Sequence, residues 1–420
     1  MFRKVQYLIL LLVLLGCEKP DYPQMYPILL TQPTDNITSA GARFNGKFES
    51  VGAESKILDH GFVWNMQSDP MICNSSQLSL GNSPTQEFSG MGTEGMVTDK
   101  THYVRSYVIT DRVTIYGTVV GFKSAGSPTS WKKISDTTPL GNALAATSFV
   151  DNGKIYFLYN NSFYAYDVMS NTWTPKAAFP ASSRTNASGF IINGKFYYGF
   201  GKVTDYSNGY YNDLYSYDPL TNMWTTVLTN TSIPARAGAV TFVIGNKAYI
   251  GFGESSSKLN DFYEFNPVTL ILKPIPNTLV NARSTNTSSF TINGKGYFLG
   301  VEKQGSPTSP STDLYEFDPT SLAISRKADF PNIMTATNNV ASATTGYIFS
   351  KPPAYYNNKI YGFDPVKNVW TANEIFTGSG RILSTGVFLN GKIYFGLGVS
   401  VIPQYYDVKP TPDFWEFTVK

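Results

Sequence analysis

One short phrase recurs down the second two-thirds of the chain. It reads Asp213-Leu214-Tyr215-Ser216-Tyr217-Asp218-Pro219, then Asp261-Phe262-Tyr263-Glu264-Phe265-Asn266-Pro267, then Asp313-Leu314-Tyr315-Glu316-Phe317-Asp318-Pro319. A weaker copy runs Lys359-Ile360-Tyr361-Gly362-Phe363-Asp364-Pro365, and the segments 163–167 and 413–417 complete the set. The central aromatics fall at 164, 215, 263, 315, 361 and 415, giving steps of 51, 48, 52, 46 and 54 residues. One repeat of that length cannot bury its own apolar face, so the copies must stack on one another. In a chain rich in strand signals, that period predicts a propeller with one four-stranded blade per copy.

A second motif keeps the same rhythm. Asn152-Gly153-Lys154, Asn193-Gly194-Lys195, Gly245-Asn246-Lys247, Asn293-Gly294-Lys295 and Asn390-Gly391-Lys392 each join two apolar runs, with Thr345-Gly346-Tyr347 in the fifth slot. Asn-Gly takes the positive φ angles of a two-residue hairpin turn at little cost. Each blade then has a first strand before this turn and a second after it. The aromatic phrase makes the third strand, and an Asp-Pro or Asn-Pro turn leads to a fourth opening at Trp173, Trp224, Leu272, Ile324 or Trp370. The last copy has no fourth strand behind it, because the chain ends at Lys420. The missing partner is expected at 130–134, Ser-Trp-Lys-Lys-Ile, which would pair beside 414–419 and close the ring without an exposed edge.

Arg in the loop, an apolar strand, Gly-Lys, a glycine-containing strand, Asp-x-Tyr-x-Tyr-Asp-Pro and Trp together resemble kelch repeats. The resemblance covers 131–420, strongest in the second and third blades. Gly-Phe-Gly or Gly-Leu-Gly stands where the family has a glycine pair, and 345–351 is degenerate. Ahead of it, residues 26–124 alternate in runs such as Gly61-Phe62-Val63-Trp64 and Tyr103-Val104-Arg105-Ser106-Tyr107-Val108. This segment resembles fibronectin type III-like modules of secreted bacterial proteins, a resemblance that implies a spacer or binding adaptor. The fold class expected is all-β, a six-bladed kelch-type β-propeller preceded by a small fibronectin III/Ig-like β-sandwich. A linker is expected at 125–130.

The N-terminus carries an address. Arg3 and Lys4 precede an apolar run, Tyr7 to Leu15, and Leu14-Leu15-Gly16-Cys17 resembles a bacterial lipobox. The expectation is a signal peptide over 1–16, lipidation of Cys17 and a tether over 17–25, against an ordinary secretion signal with an incidental cysteine. Such a protein belongs in the cell envelope, most simply as an outer-membrane lipoprotein, anchored as a monomer. With Cys17 lipidated, Cys73 is the one remaining thiol and reads as a bystander.

Several chemistries lose their reagents. The two histidines, His60 and His102, both lie in the sandwich, so the propeller has neither imidazole nor thiol for nucleophilic schemes or a zinc site. Copper-radical oxidases share the kelch-like fold but need histidines and a Tyr–Cys crosslink. A paired His60–His102 metal site is weaker than two solvated or strand-edge histidines. No cofactor or metal is expected. A net charge of +3 without a basic run gives nucleic acid no footing.

What remains is a carboxylate, Arg and Tyr set. Arg184, Arg236 and Arg381 each lie eleven residues before a turn lysine and Arg283 twelve before, which places all four at the entry to the innermost strand. Ringing one mouth, they either clamp an acidic sugar or another anion, or bond loop carbonyls between blades. Tyr206, Tyr210, Tyr211, Tyr405 and Tyr406 crowd the loops between second and third strands, as plates for a sugar ring or a protein partner or as packing between loops. Glu254 and Glu302 follow the second strands at equivalent places. Some kelch-like bacterial proteins are sialic-acid mutarotases, and that resemblance implies acid–base work for such a carboxylate beside an Arg. The repeated Asp213, Asp261, Asp313 and Asp413 read as strand-start residues. Non-enzymatic recognition of a glycan or protein through one propeller face is the leading expectation. A metal-independent carbohydrate enzyme, such as a sialic-acid mutarotase, and a purely structural or adhesion element are the alternatives.

Overall fold

A computed structural model describes residues 26–419 apart from 53–55, 67, 73–74, 94, 127–129, 204–208, 230, 277–281, 284–287, 300–301, 304–311, 332–337, 351–358, 379–380 and 403–406. Among these residues every regular element is a strand. Cys17, Cys73, Tyr206, Tyr405 and Tyr406 lie outside the described residues.

The N-terminal unit is two facing antiparallel sheets. Ile28–Thr38, Gly41–Ser50 and Glu87–Gly92 form one; Ser76–Ser79, Ile57–Asn65, Thr101–Thr110, Thr114–Tyr116 and Val120–Lys123 form the other. Phe44, Phe48 and Phe88 from the first meet Phe62, Trp64, Val104 and Phe122 from the second in one buried cluster. Alternation of these residues with polar ones gives each sheet a single apolar face, so the faces close on each other. Both histidines prove buried here rather than solvated. His60 Nδ1 lies 2.6 Å from the Gly81 carbonyl, and His102 sits against the Gly95 and Lys100 carbonyls. Burial lowers the His102 pKa against the raising effect of those carbonyls.

The six blades follow. Blade 1 is Thr147–Asp151, Lys154–Tyr159, Ser162–Asp167 and Thr172–Pro175; blade 2 is Ser188–Ile192, Lys195–Gly199, Leu214–Asp218 and Met223–Leu228. Blade 3 is Val240–Ile244, Lys247–Gly251, Phe262–Asn266 and Ile271–Pro274; blade 4 is Ser288–Ile292, Lys295–Leu299, Leu314–Asp318 and Ala323–Arg326. Blade 5 is Asn338–Ala341, Gly346–Ser350, Lys359–Asp364 and Val369–Ile375. Blade 6 takes Thr385–Leu389, Lys392–Gly396 and Phe414–Thr418 from the C-terminus and Trp131–Ser135 from the start of the domain. In that closing sheet Phe417 pairs with Trp131 and Glu416 with Lys132. The first strands of consecutive blades touch around the whole ring, blade 6 against blade 1 included.

The Asn-Gly turns have the expected backbone: φ is 46° and 74° at Asn152-Gly153 and 52° and 77° at Asn390-Gly391. In blade 5, Ser342 Oγ accepts from the Thr344 and Thr345 amides and replaces that device. The first strand of every blade is the inner edge of its sheet, with backbone groups left over. Side chains of the next blade satisfy several of them. Ser289 Oγ accepts from the Thr241 amide at 3.3 Å and donates to its carbonyl at 2.8 Å; Thr291 Oγ1 donates to Val243 O at 2.8 Å, and Ser148 Oγ to Gly386 O at 3.3 Å.

Candidate functional site

Two ends of the propeller must be distinguished. The Asn-Gly and Asp-Pro turns share one, the turn end; the Arg segments and the loops from second to third strand share the other, the loop end. At the loop end the second strand of blades 2, 3 and 6 finishes in two consecutive left-handed residues. They are Phe200-Gly201 (φ 55°, 94°), Phe252-Gly253 (56°, 85°) and Leu397-Gly398 (60°, 86°). A bulky residue rarely holds that conformation unless its surroundings impose it. Here they do. The Phe252 amide donates to Asp261 O at 3.0 Å, and its carbonyl accepts from Arg236 Nη1 at 3.1 Å. Phe200 and Leu397 are held the same way by Asp213 with Arg184 and by Asp413 with Arg381. A Cβ on Gly253 would lie 2.6 Å from the Ala237 carbonyl oxygen, which explains the second glycine of the Gly-Phe-Gly variant.

The reversal lets the chain pair again, now with the Arg segment. Arg184–Thr185 pairs with Lys202–Val203, Ala282–Arg283 with Glu302–Lys303, Ala237 with Glu254, and Ile382 with Val399. These short ladders carry no signal in the sequence, because two residues are too few for a pattern.

The arginine side chains face inward. Those of Arg184, Arg236 and Arg381 are 0% exposed. Arg236 donates from Nη1 and Nη2 to the two oxygens of Asp261 at 2.7 and 2.8 Å, and from Nε to the Pro234 carbonyl at 3.1 Å. Arg184 grips Asp213 with the same two-pronged contact, and Arg381 bonds Asp413. Burial raises the Asp413 carboxyl, yet the Arg381 guanidinium outweighs it and holds the group below its ordinary value. The guanidiniums therefore fasten loops inside one blade, not between blades, and three of the four offer no exposed clamp for an anion. For Arg283 and Glu302 the backbone is described and the side chains are not.

What the loop end does expose is different. Tyr211 donates its amide to Gly201 O at 2.9 Å, Gly201 to Arg236 O at 2.7 Å, and Arg236 back to Tyr211 O at 3.2 Å. Ala237 and Glu254 then exchange both backbone bonds at 2.9 Å. This network joins the aromatic loop of blade 2 to Glu254 of blade 3. Lys202, Tyr210, Tyr211 and Glu254 are half-buried there, and Lys258, opposite Glu254 across a tight turn, is exposed. The Lys202 Nζ lies 5.5 Å from the Tyr210 ring centre, and the Arg184 guanidinium 4.2 Å from that of Tyr211. Tyr210, Tyr211 and Glu254 are thus brought together. Lys202 follows Gly201 as Glu254 follows Gly253, so the two stand at equivalent places in neighbouring blades. Among the described residues no group of three His, Cys, Asp or Glu could hold a metal.

No family model matches the chain. N-acetylneuraminate epimerase 2 of Escherichia coli O6:H1 strain CFT073 is 31% identical over 127 residues, 29% of this chain and 34% of that protein. The N-acetylneuraminate epimerases of Escherichia coli K12 and Shigella flexneri match to the same extent. The match thus spans about a third of the length of these relatives. Among solved structures, one described as the structure of YjhT superposes with a TM-score of 0.53 at 18% identity, covering 68% of this chain and 97% of that one. With four-stranded sheets closed in a ring, the chain is a kelch-type β-propeller of six blades carried behind a β-sandwich.

Proposed function

We propose that this protein binds a sialic acid, N-acetylneuraminate or a close relative, at the loop end of the propeller and speeds the exchange of its anomers. The observation behind this reading is the 31% identity over 127 residues with N-acetylneuraminate epimerases. Anomer exchange asks little of a protein. A base takes the proton of the anomeric hydroxyl as the bond from the anomeric carbon to the ring oxygen breaks, and a proton goes to that ring oxygen. Closure on the other face of the carbonyl reverses both transfers. No electron changes hands and nothing is consumed. In this assignment Glu254 carries the proton, and Lys202 and Lys258 face the sugar carboxylate. Tyr210 and Tyr211 offer rings to the apolar face of the sugar. A lipid anchor at Cys17 would hold the site in the cell envelope, with the sandwich as spacer.

Exchange spectroscopy by NMR on N-acetylneuraminate tests this. The full chain should accelerate interconversion, and Glu254→Gln should lower that acceleration by about 10²-fold or more. No acceleration by the unmodified chain rejects the enzyme. The locked arginines favour a second reading in which the same surface only recognises a glycan or protein. Saturable binding of N-acetylneuraminate by calorimetry, without acceleration, selects it.

A further inference from the structure

The opposite end of the propeller carries a feature that sugar chemistry does not use. In four blades the residue two places after the turn Asp or Asn is a large aliphatic in open solvent: Met169 is 90% exposed, Leu220 88%, Val268 78% and Val366 87%. Met223, Ile271 and Val369, at the starts of the adjacent fourth strands, add to them. Ten large hydrophobic residues of the propeller are exposed among those described, and eight of them belong to this end; only Leu144 and Leu383 do not. Chance scatter of single apolar residues over a surface has no such bias.

The tips are held outward. The amides of Met169, Leu220, Val268 and Val366 donate to Oδ1 of Asp167, Asp218, Asn266 and Asp364 at 3.0, 2.9, 2.9 and 3.0 Å. Each turn is therefore closed by its own side chain, and the aliphatic cannot fold back onto the blade. Lysines stand at the same end. Each is paired with a turn carboxylate: Lys154 and Lys195 reach Asp167 and Asp218 at 3.6 and 3.4 Å and remain about half exposed, and Lys367, 75% exposed, lies 3.1 Å from Asp364.

We propose that the turn end of the propeller is a membrane-facing surface that dips these side chains into the headgroup region of a lipid bilayer. The four tips stand on four separate blades, one per turn. A protein partner would bury a continuous patch, whereas a fluid interface accepts isolated aliphatic anchors one at a time, with lysine ammoniums at headgroup depth. Weak affinity suffices for a chain whose N-terminus reads as lipidated, because the anchor keeps the surface within reach of the bilayer. The inference does not rest on the sialic-acid reading.

The test uses the full chain with vesicles of phosphatidylethanolamine and phosphatidylglycerol bearing brominated acyl chains. Trp173, Trp224 and Trp370 lie in fourth strands that start at this end and report contact by quenching. Quenching of the unmodified chain is expected, and Met169→Ser, Leu220→Ser, Val268→Ser and Val366→Ser combined should weaken it by at least about twofold. The same variant should keep the wild-type melting temperature, since all four side chains are in solvent. No quenching of the unmodified chain overturns the proposal, as does equal quenching of both. A vesicle-independent change in sedimentation on substitution overturns it in favour of a second copy of the chain.

Discussion

Arg236 lies wholly inside its blade, and truncating it would leave the Asp261 carboxylate beside the Phe252 carbonyl with no cation to balance them. Removing one partner of a buried pair costs about 3–5 kcal/mol, far more than an exposed ion pair contributes. Arg236→Ala is therefore expected to lose that much stability in urea denaturation, and adding Asp261→Ala should recover part of it. A change within about 0.5 kcal/mol would mark Arg236 as a surface residue after all. Asp413 gives the pH counterpart. Its pKa is depressed in the folded chain, so its contribution is complete above the unfolded carboxyl value of about 4 and is lost as pH falls through the folded value. Asp413→Asn should be clearly less stable than the parent at pH 7, and the gap should narrow towards about pH 3 in the same assay.

At the scale of strands and turns, most of the structure was legible beforehand. The Asn-Gly hairpins, the Asp-Pro turns and the aromatic third strands follow from chemistry confined to a few neighbouring residues. The turn lysine is a harder case. Its spacing is visible, but its reason is the third strand: Lys247 Nζ lies 2.7 Å from Glu264, and Lys295 and Lys392 lie 3.0 Å from Glu316 and Glu416. The fourth-strand tryptophan packs against the aromatic third strand, Trp224 on Tyr217 and Trp370 on Phe363, and its indole also stitches blades together. Trp224 Nε1 donates to the Ala177 carbonyl at 2.9 Å while the Ala177 amide donates to Asn222 at 3.0 Å, and Trp370 and Asn368 treat Ala328 alike. In blade 2, the second-strand Gly199 makes room for the backbone of its own third strand, where a Cβ would lie 2.2 Å from Asp213 O.

For the molecule as a whole, the strand that closes the ring is the point of greatest consequence. Trp131 is buried in blade 6 with its ring 4.7 Å from Phe376 and 4.9 Å from Phe417. Trp131→Ala should cost about 3–5 kcal/mol. By hydrogen exchange, protection should fall first over 131–135 and 414–418; unchanged protection there would show that closure does not depend on this strand. The repeat by itself determined the number of blades, the closing segment and the chemistry of the turns, because each depends on local backbone preferences and on copies that can be counted. Only the tertiary structure decided what the repeated charges are for. The arginines meet their aspartates 29, 25 and 32 residues away, in a pairing that exists once second and third strands lie side by side. Exposure is a property of that packing: the same guanidinium is a ligand clamp or an internal brace according to which way a left-handed turn aims the chain.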